Sequence, residues 1–208
     1  MSVTLVIIIV TCIVSIPMLN NDVAKEKVLF WPYQIKHKNE YSRFFSGALV
    51  HADLMHLAFN MLTLYSFGTA IESFLYPVFF QANTTMLYIV LYILAILFSC
   101  IPDYFKYKDQ YSYRALGASG AVSAVIFSAI LLEPTMPLRF FFIPIDIPGW
   151  LFGLLFLGLS AYMAKRGNDN IGHSAHFWGG VFGLVFTWLA SRAFTDVNVI
   201  QRFIEDVF

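Results

Sequence analysis

The chain has 208 residues, 59% of them hydrophobic, 18% aromatic and 12% charged. A soluble domain carries about 25% charged residues, so this composition, with its long apolar runs, points to a membrane-embedded protein. Thirteen basic residues balance thirteen acidic ones, which excludes the basic footprint of a nucleic-acid binder.

A spanning helix needs about 20 mostly apolar residues. Six segments answer to that, some loosely, and they predict an all-α membrane protein forming one domain over residues 1–208. The first covers residues 3–19. It lacks a basic leader and a small-residue cleavage site, so it reads as a retained helix rather than a signal peptide. A polar connection follows over residues 20–43, and its aromatic patch at 28–33 suits the membrane surface.

The second segment, residues 47–74, carries His51, Asp53, His56 and Asn60 in its first half and Glu72 near its end. Polar groups at membrane depth are costly and face a cavity or a partner. His56 and Asn60, four apart, share one helix face. They serve either as inter-helix packing bonds or as donors aimed at one spot. The third segment, residues 85–101, is almost wholly apolar and has no evident chemistry. Cys12 and Cys100 lie inside apolar runs without ligand spacing, so no disulfide, metal or cofactor is expected.

After a loop holding Asp103, Lys106, Lys108 and Asp109 comes the fourth segment, from about 115 to 133, with Gly117-Ala118-Ser119-Gly120 at its start. An aromatic, proline-rich turn region over 137–148 suits the interface. The fifth segment is 149–164, a charged turn KRGNDN follows, and the sixth is 172–193. In the sixth, His176 stands beside Gly179 and Gly183 on a glycine-lined face. Such a face lets backbones approach closely, and Gly120, Ala121 and Ala124 offer a matching surface on the fourth. The second, fourth and sixth segments run in the same direction, so His56, Asn60, Ser119 and His176 fall in one half of the bilayer.

Small residues around Ser119 are most simply a packing device. The same glycines also clear space around one hydroxyl. Serine becomes a nucleophile when a base takes its proton, and histidine is the usual base near neutral pH. The residues favour a Ser119–His176 dyad, with His56, Asn60 and the Ser119 N–H available to an oxyanion. No third acidic member is evident.

The pattern resembles the rhomboid family of intramembrane serine proteases, over nearly the whole chain. HxxxN is present as His56–Asn60, GxSG as Gly117–Gly120, and AHxxGxxxG as Ala175-His176 with Gly179 and Gly183. Each is weak alone; in this order and on these segments they are specific. The resemblance implies a six-helix rhomboid bundle, Ser119 as nucleophile and His176 as general base. It implies oxyanion help from His56 and Asn60, and no metal or cofactor. Its substrates would be single-span membrane proteins in the lipid bilayer, their helices unwinding near small residues. Arg43 and Glu72 stand where the family often has a first-loop arginine and a structural acid.

Two positions depart from that pattern. Ser42 replaces the tryptophan that usually precedes the arginine. Ser123 replaces an aromatic residue often stacked on the catalytic histidine, which leaves Phe177 or Trp178 as a substitute. The absence of further domains leans towards a prokaryotic plasma membrane. Basic residues oppose the family orientation: ten lie in the outer loops and three in the inner ones.

Two other readings compete. A metal-dependent protease would draw on His51, Asp53, His56, His173 and His176, but HExxH is absent, and His51 and His56 sit about 140° apart around a helix. A carrier or helix-binding module would explain polar residues on three helices, but no internal repeat is visible.

Overall fold

The protein is described by a computed structural model over residues 2–140, 143–166 and 172–208, with backbone alone at 139, 140, 143 and 144. In chain order the helices are α1 (Val3–Ser15), α2 (Asp22–Val28), α3 (Pro32–Lys38), α4 (Arg43–Ser46), α5 (Leu54–Ala70), α6 (Tyr76–Phe80), α7 (Thr84–Tyr107), α8 (Ser119–Leu132), α9 (Gly149–Arg166), α10 (His173–Phe194) and α11 (Val199–Val207). Leu54–Tyr107 and His173–Phe194 are long and apolar enough to cross a membrane, whereas Val3–Met18 and Ser119–Leu132 are apolar but shorter.

The core is built around α8. Every residue from Gly120 to Leu132 is buried, as expected of a helix with no polar face. Its most extensive contact is with α10, and it also touches α7, α5 and α9. Buried hydroxyls tie three elements together: the Tyr76 hydroxyl lies 2.9 Å from Ser128 Oγ, which lies 2.6 Å from Thr187 Oγ1. At the far end from Ser119, the Glu72 carboxylate accepts from Ser2 Oγ (2.6 Å), the Val3 and Thr4 amides (2.6 and 3.0 Å) and Thr4 Oγ1 (2.8 Å). It thereby satisfies the open first turn of α1. Glu72 stands in a π-helical stretch, Ile71–Leu75, into which α5 passes.

Several elements differ from the sequence expectation. The second segment becomes helical only at Leu54, where the Asp53 side chain accepts the His56 amide at 2.8 Å, so His51 lies in the loop ahead of α5. The third continues past Pro102 to Tyr107, which places Asp103 and Lys106 on the helix; buried Asp103 is held by the Tyr113 hydroxyl at 2.8 Å. The 137–148 region is an antiparallel hairpin, β1 (Pro137–Phe140) and β2 (Ile143–Pro148), a small addition to an otherwise all-α fold. Isoleucine at 143, 145 and 147 favours extended backbone, and the prolines are tolerated because both strands are edges. Within the aromatic patch at 28–33, Leu29, Phe30 and Trp31 are buried against the rest of the protein. Residues 167–170 of the charged turn, and residue 171 after it, lie outside the described residues.

Candidate active site

The run into Ser119 is held by the loop region between α1 and α5. Ala115 and Phe30 exchange two backbone hydrogen bonds of 2.9 and 3.0 Å, and the Gly117 amide donates to the Gly47 carbonyl at 2.9 Å. The Ala118 amide donates to His51 Nε2 at 3.4 Å. Gly117 has φ +113, a conformation open chiefly to glycine. A methyl group there would also lie 2.7 Å from His56 Cε1 and 2.9 Å from its Nε2. The turn therefore needs glycine for backbone freedom and for room. α8 begins immediately after it, at Ser119.

α10 meets α8 backbone to backbone. A methyl group on Gly179 would overlap the Gly120 carbonyl, and one on Gly183 would overlap the Ala124 carbonyl. A methyl on Gly120 would lie 3.3 Å from the Ala175 carbonyl oxygen. Glycine is thus what permits the approach, and it sets the first turns of the two helices side by side. Ser119 and His176 are both half-buried in these turns. Among the described residues no direct Ser119–His176 hydrogen bond is formed.

His56 faces the same turn. Its Nδ1 accepts the Ala52 amide at 3.5 Å, so the neutral ring carries its proton on Nε2, the nitrogen beside Gly117. Asn60 is buried on the His56 face, and its Nδ2 donates to the His56 carbonyl at 2.9 Å; a second Nδ2 hydrogen remains. The first intrahelical bond of α8 runs from the Val122 amide to the Ala118 carbonyl, so the amides of Ser119 to Ala121 precede the ladder and are donors at a helix start.

Two residues that the sequence reading did not assign take part. His51, 1% exposed, accepts the Ala118 amide through Nε2, and its Nδ1 lies 3.2 Å from Ser15 Oγ. With both nitrogens engaged it has none free for a metal. Burial first, then the adjacent His56, pushes its titration down to about 4 against an upward pull from Asp53, so it is neutral near pH 7. Phe156 of α9 is the ring beside His176, with centroids 5.9 Å apart and planes tilted by 32°. The expected substitutes, Phe177 and Trp178, pack on one another instead. Ser123 is buried in α8.

Trp31 packs 5.7 Å from the Arg43 guanidinium, whose Nη1 donates to the Glu26 and Leu29 carbonyls at 2.9 and 3.0 Å. A cavity of about 50 Å³ lies between this loop region and α7, lined by Ser119, Gly117, Ser99, Asp103 and Tyr113 among others. That is room for about three waters.

The Rhomboid domain family matches residues 38–193. RHOMBOID-like protein 12, mitochondrial, of Arabidopsis thaliana is 31% identical over 156 residues, covering 71% of this chain and 45% of that protein. Rhomboid protein 1, mitochondrial, of Saccharomyces cerevisiae is 28% identical over 148 residues, covering 71% of this chain and 41% of its own length. Rhomboid protease GlpG of Haemophilus influenzae is 25% identical over 167 residues, covering 79% of this chain and 78% of its own length. The chain thus spans less than half of the first two relatives. Two of the three carry mitochondrial names, so these relatives lend no support to a prokaryotic plasma membrane. With a rhomboid domain matched over three-quarters of its length, and with that match covering Ser119, His176, His56 and Asn60, the chain belongs to the rhomboid family.

Proposed function

We propose that the protein is an intramembrane serine endopeptidase, with α1, α5, α7, α8, α9 and α10 as its six spans. It hydrolyses peptide bonds in or near the spanning segments of single-span membrane proteins. The observation that carries this reading is the backbone contact of α8 with α10 at Gly120 and Gly179, because it sets the starts of the serine- and histidine-bearing helices in adjoining turns. Similarity to a protein named as a rhomboid protease supports it further.

In this mechanism the neutral His176 ring takes the Ser119 hydroxyl proton as Oγ attacks the substrate carbonyl carbon. The carbonyl oxygen becomes an oxyanion and accepts hydrogen bonds from the Ser119 amide, His56 Nε2–H and Asn60 Nδ2–H. Collapse of the tetrahedral intermediate breaks the C–N bond, and His176 returns the proton to the departing amine. Water then attacks the acyl-serine ester with His176 again as base. The product acid leaves and the Ser119 hydroxyl is restored. The cavity beside Ser119 supplies the water.

Fluorophosphonate labelling in detergent tests the reading. The wild type is expected to label, and Ser119→Ala and His176→Ala to remain unlabelled while keeping the wild-type thermal midpoint. Cleavage of a model single-span substrate by Ser119→Ala at the wild-type rate would overturn it and favour a helix-binding role. For the oxyanion assignment, Asn60→Ala should lower kcat by about 10²-fold with KM little changed; a loss confined to KM would remove Asn60 from that role.

A further inference from the structure

We propose that His51 is a positioning residue for the nucleophile: it grips the Ala118 amide, and so aims the turn that presents Ser119, while being anchored itself to the Ser15 hydroxyl of α1. The inference builds on the reading of Ser119 as the nucleophile.

Hydrogen-bond accounting defines the state of the ring. An imidazole nitrogen that accepts an amide must carry a lone pair, so Nε2 is unprotonated. In the neutral ring the proton is then on Nδ1, which donates to Ser15 Oγ, 3.2 Å away. His56 has the opposite tautomer, with Nδ1 accepting from Ala52. The two rings meet edge to face, with centroids 5.0 Å apart and planes at 76°. One ring therefore offers a lone pair to the turn before Ser119, while the other offers an N–H beside Gly117. The charged and titratable groups around His51 are His56, Asp53 and Lys25, the last bonded to the neighbouring Ala52 carbonyl at 3.3 Å.

The grip also decides which backbone donor serves the oxyanion. The Ala118 amide points into His51 and is spent, so the Ser119 amide is the next one in the chain that can face a substrate carbonyl. The Gly117–Gly47 bond holds the turn one residue earlier. With both bonds in place, Ser119 enters α8 from a backbone fixed at two successive amides. If Ala118 is released, Gly117, in its left-handed conformation, becomes a swivel directly before the nucleophile.

Two isosteres separate the grip from general support of the fold. The side-chain amide of glutamine reaches the Nε2 position, and that of asparagine reaches the Nδ1 position. His51→Gln should keep an acceptor for Ala118 and hold kcat within about threefold of wild type. His51→Asn should keep Ser15 and lose Ala118, lowering kcat by about tenfold or more with KM and thermal midpoint close to those of His51→Gln, since one net hydrogen bond corresponds to about that factor. Amide hydrogen exchange supplies a readout independent of catalysis: Ala118 should exchange about tenfold faster in His51→Asn than in His51→Gln. Equal kcat and equal Ala118 exchange in the two variants would overturn the proposal. If the wild type neither cleaves nor labels, the nucleophile assignment falls, and Ala118 exchange alone still decides whether His51 holds that amide.

Discussion

At the scale of single residues, His51 shows how burial converts a titratable ring into a fixed hydrogen-bonding part. In the fold it titrates near 4, whereas an unperturbed histidine does so at 6.5. Between those values the unfolded chain binds the proton first, so stability rises with pH across the window and is fully present above 6.5. Acidification from pH 7 to pH 4 should therefore remove up to about 3 kcal/mol through this ring alone. Thermal unfolding in detergent at pH 7 and pH 4.5 checks this. The midpoint should drop further in the wild type than in His51→Gln, which has nothing to protonate at that position. An equal drop in both would show that the ring titrates normally in the fold.

Between elements, the contact of α8 with α10 tolerates no side chain at its closest points. Gly179→Ala must push a methyl group into the Gly120 carbonyl, which belongs to the backbone and cannot rotate away. Overpacking of this kind costs about 1–3 kcal/mol, and it also moves His176 relative to Ser119. The expected outcome is a lower thermal midpoint with a larger loss of cleavage. Gly158→Ala on α9 is the matched control: nothing lies within 4 Å of the added methyl group, and alanine favours helix, so its midpoint should hold or rise. α9 also reaches the site through Phe156, which touches Phe127 and Phe152 as well as His176. Phe156→Leu should lower kcat severalfold with KM nearly unchanged, because a ring contact of this kind is worth about 0.5–1.5 kcal/mol. Trp178→Leu, at an exposed position, should leave kcat as it is. Kinetics on one model substrate distinguish the two.

Over the whole molecule, one end is fastened by Glu72 and the other by the loop region around Arg43. The Glu72 carboxylate gathers four donors from the first residues of α1, and hydrogen bonds to a charged acceptor are worth more than neutral ones. Glu72→Gln turns an NH₂ towards some of those donors and should cost about 2 kcal/mol or more in unfolding free energy. Chemical denaturation in micelles would measure it. No change would mean that water satisfies the start of α1 equally well. The loss belongs to the bundle as a whole, because α1 lies along α5 and also carries Ser15, the anchor of His51.

The sequence alone determined what depends on local pattern. Low charge and long apolar runs mark a membrane protein. Glycine spacing on α8 and α10 marks the faces that meet, and three short motifs mark the family and its candidate residues. These are properties of single segments, legible because helical periodicity converts spacing into direction. Only the tertiary structure decided which side chains steady the site. The amide held by His51 is 67 residues away in the chain, Phe156 comes from another helix, and Trp31 packs against Arg114, which lies far from it in the chain. The extension of α7 past Pro102, and the hairpin in place of a simple turn, were likewise settled by packing. The reason is common to all of them: a contact between distant segments leaves no periodic mark in either one, and it exists only once the surrounding core has brought them together.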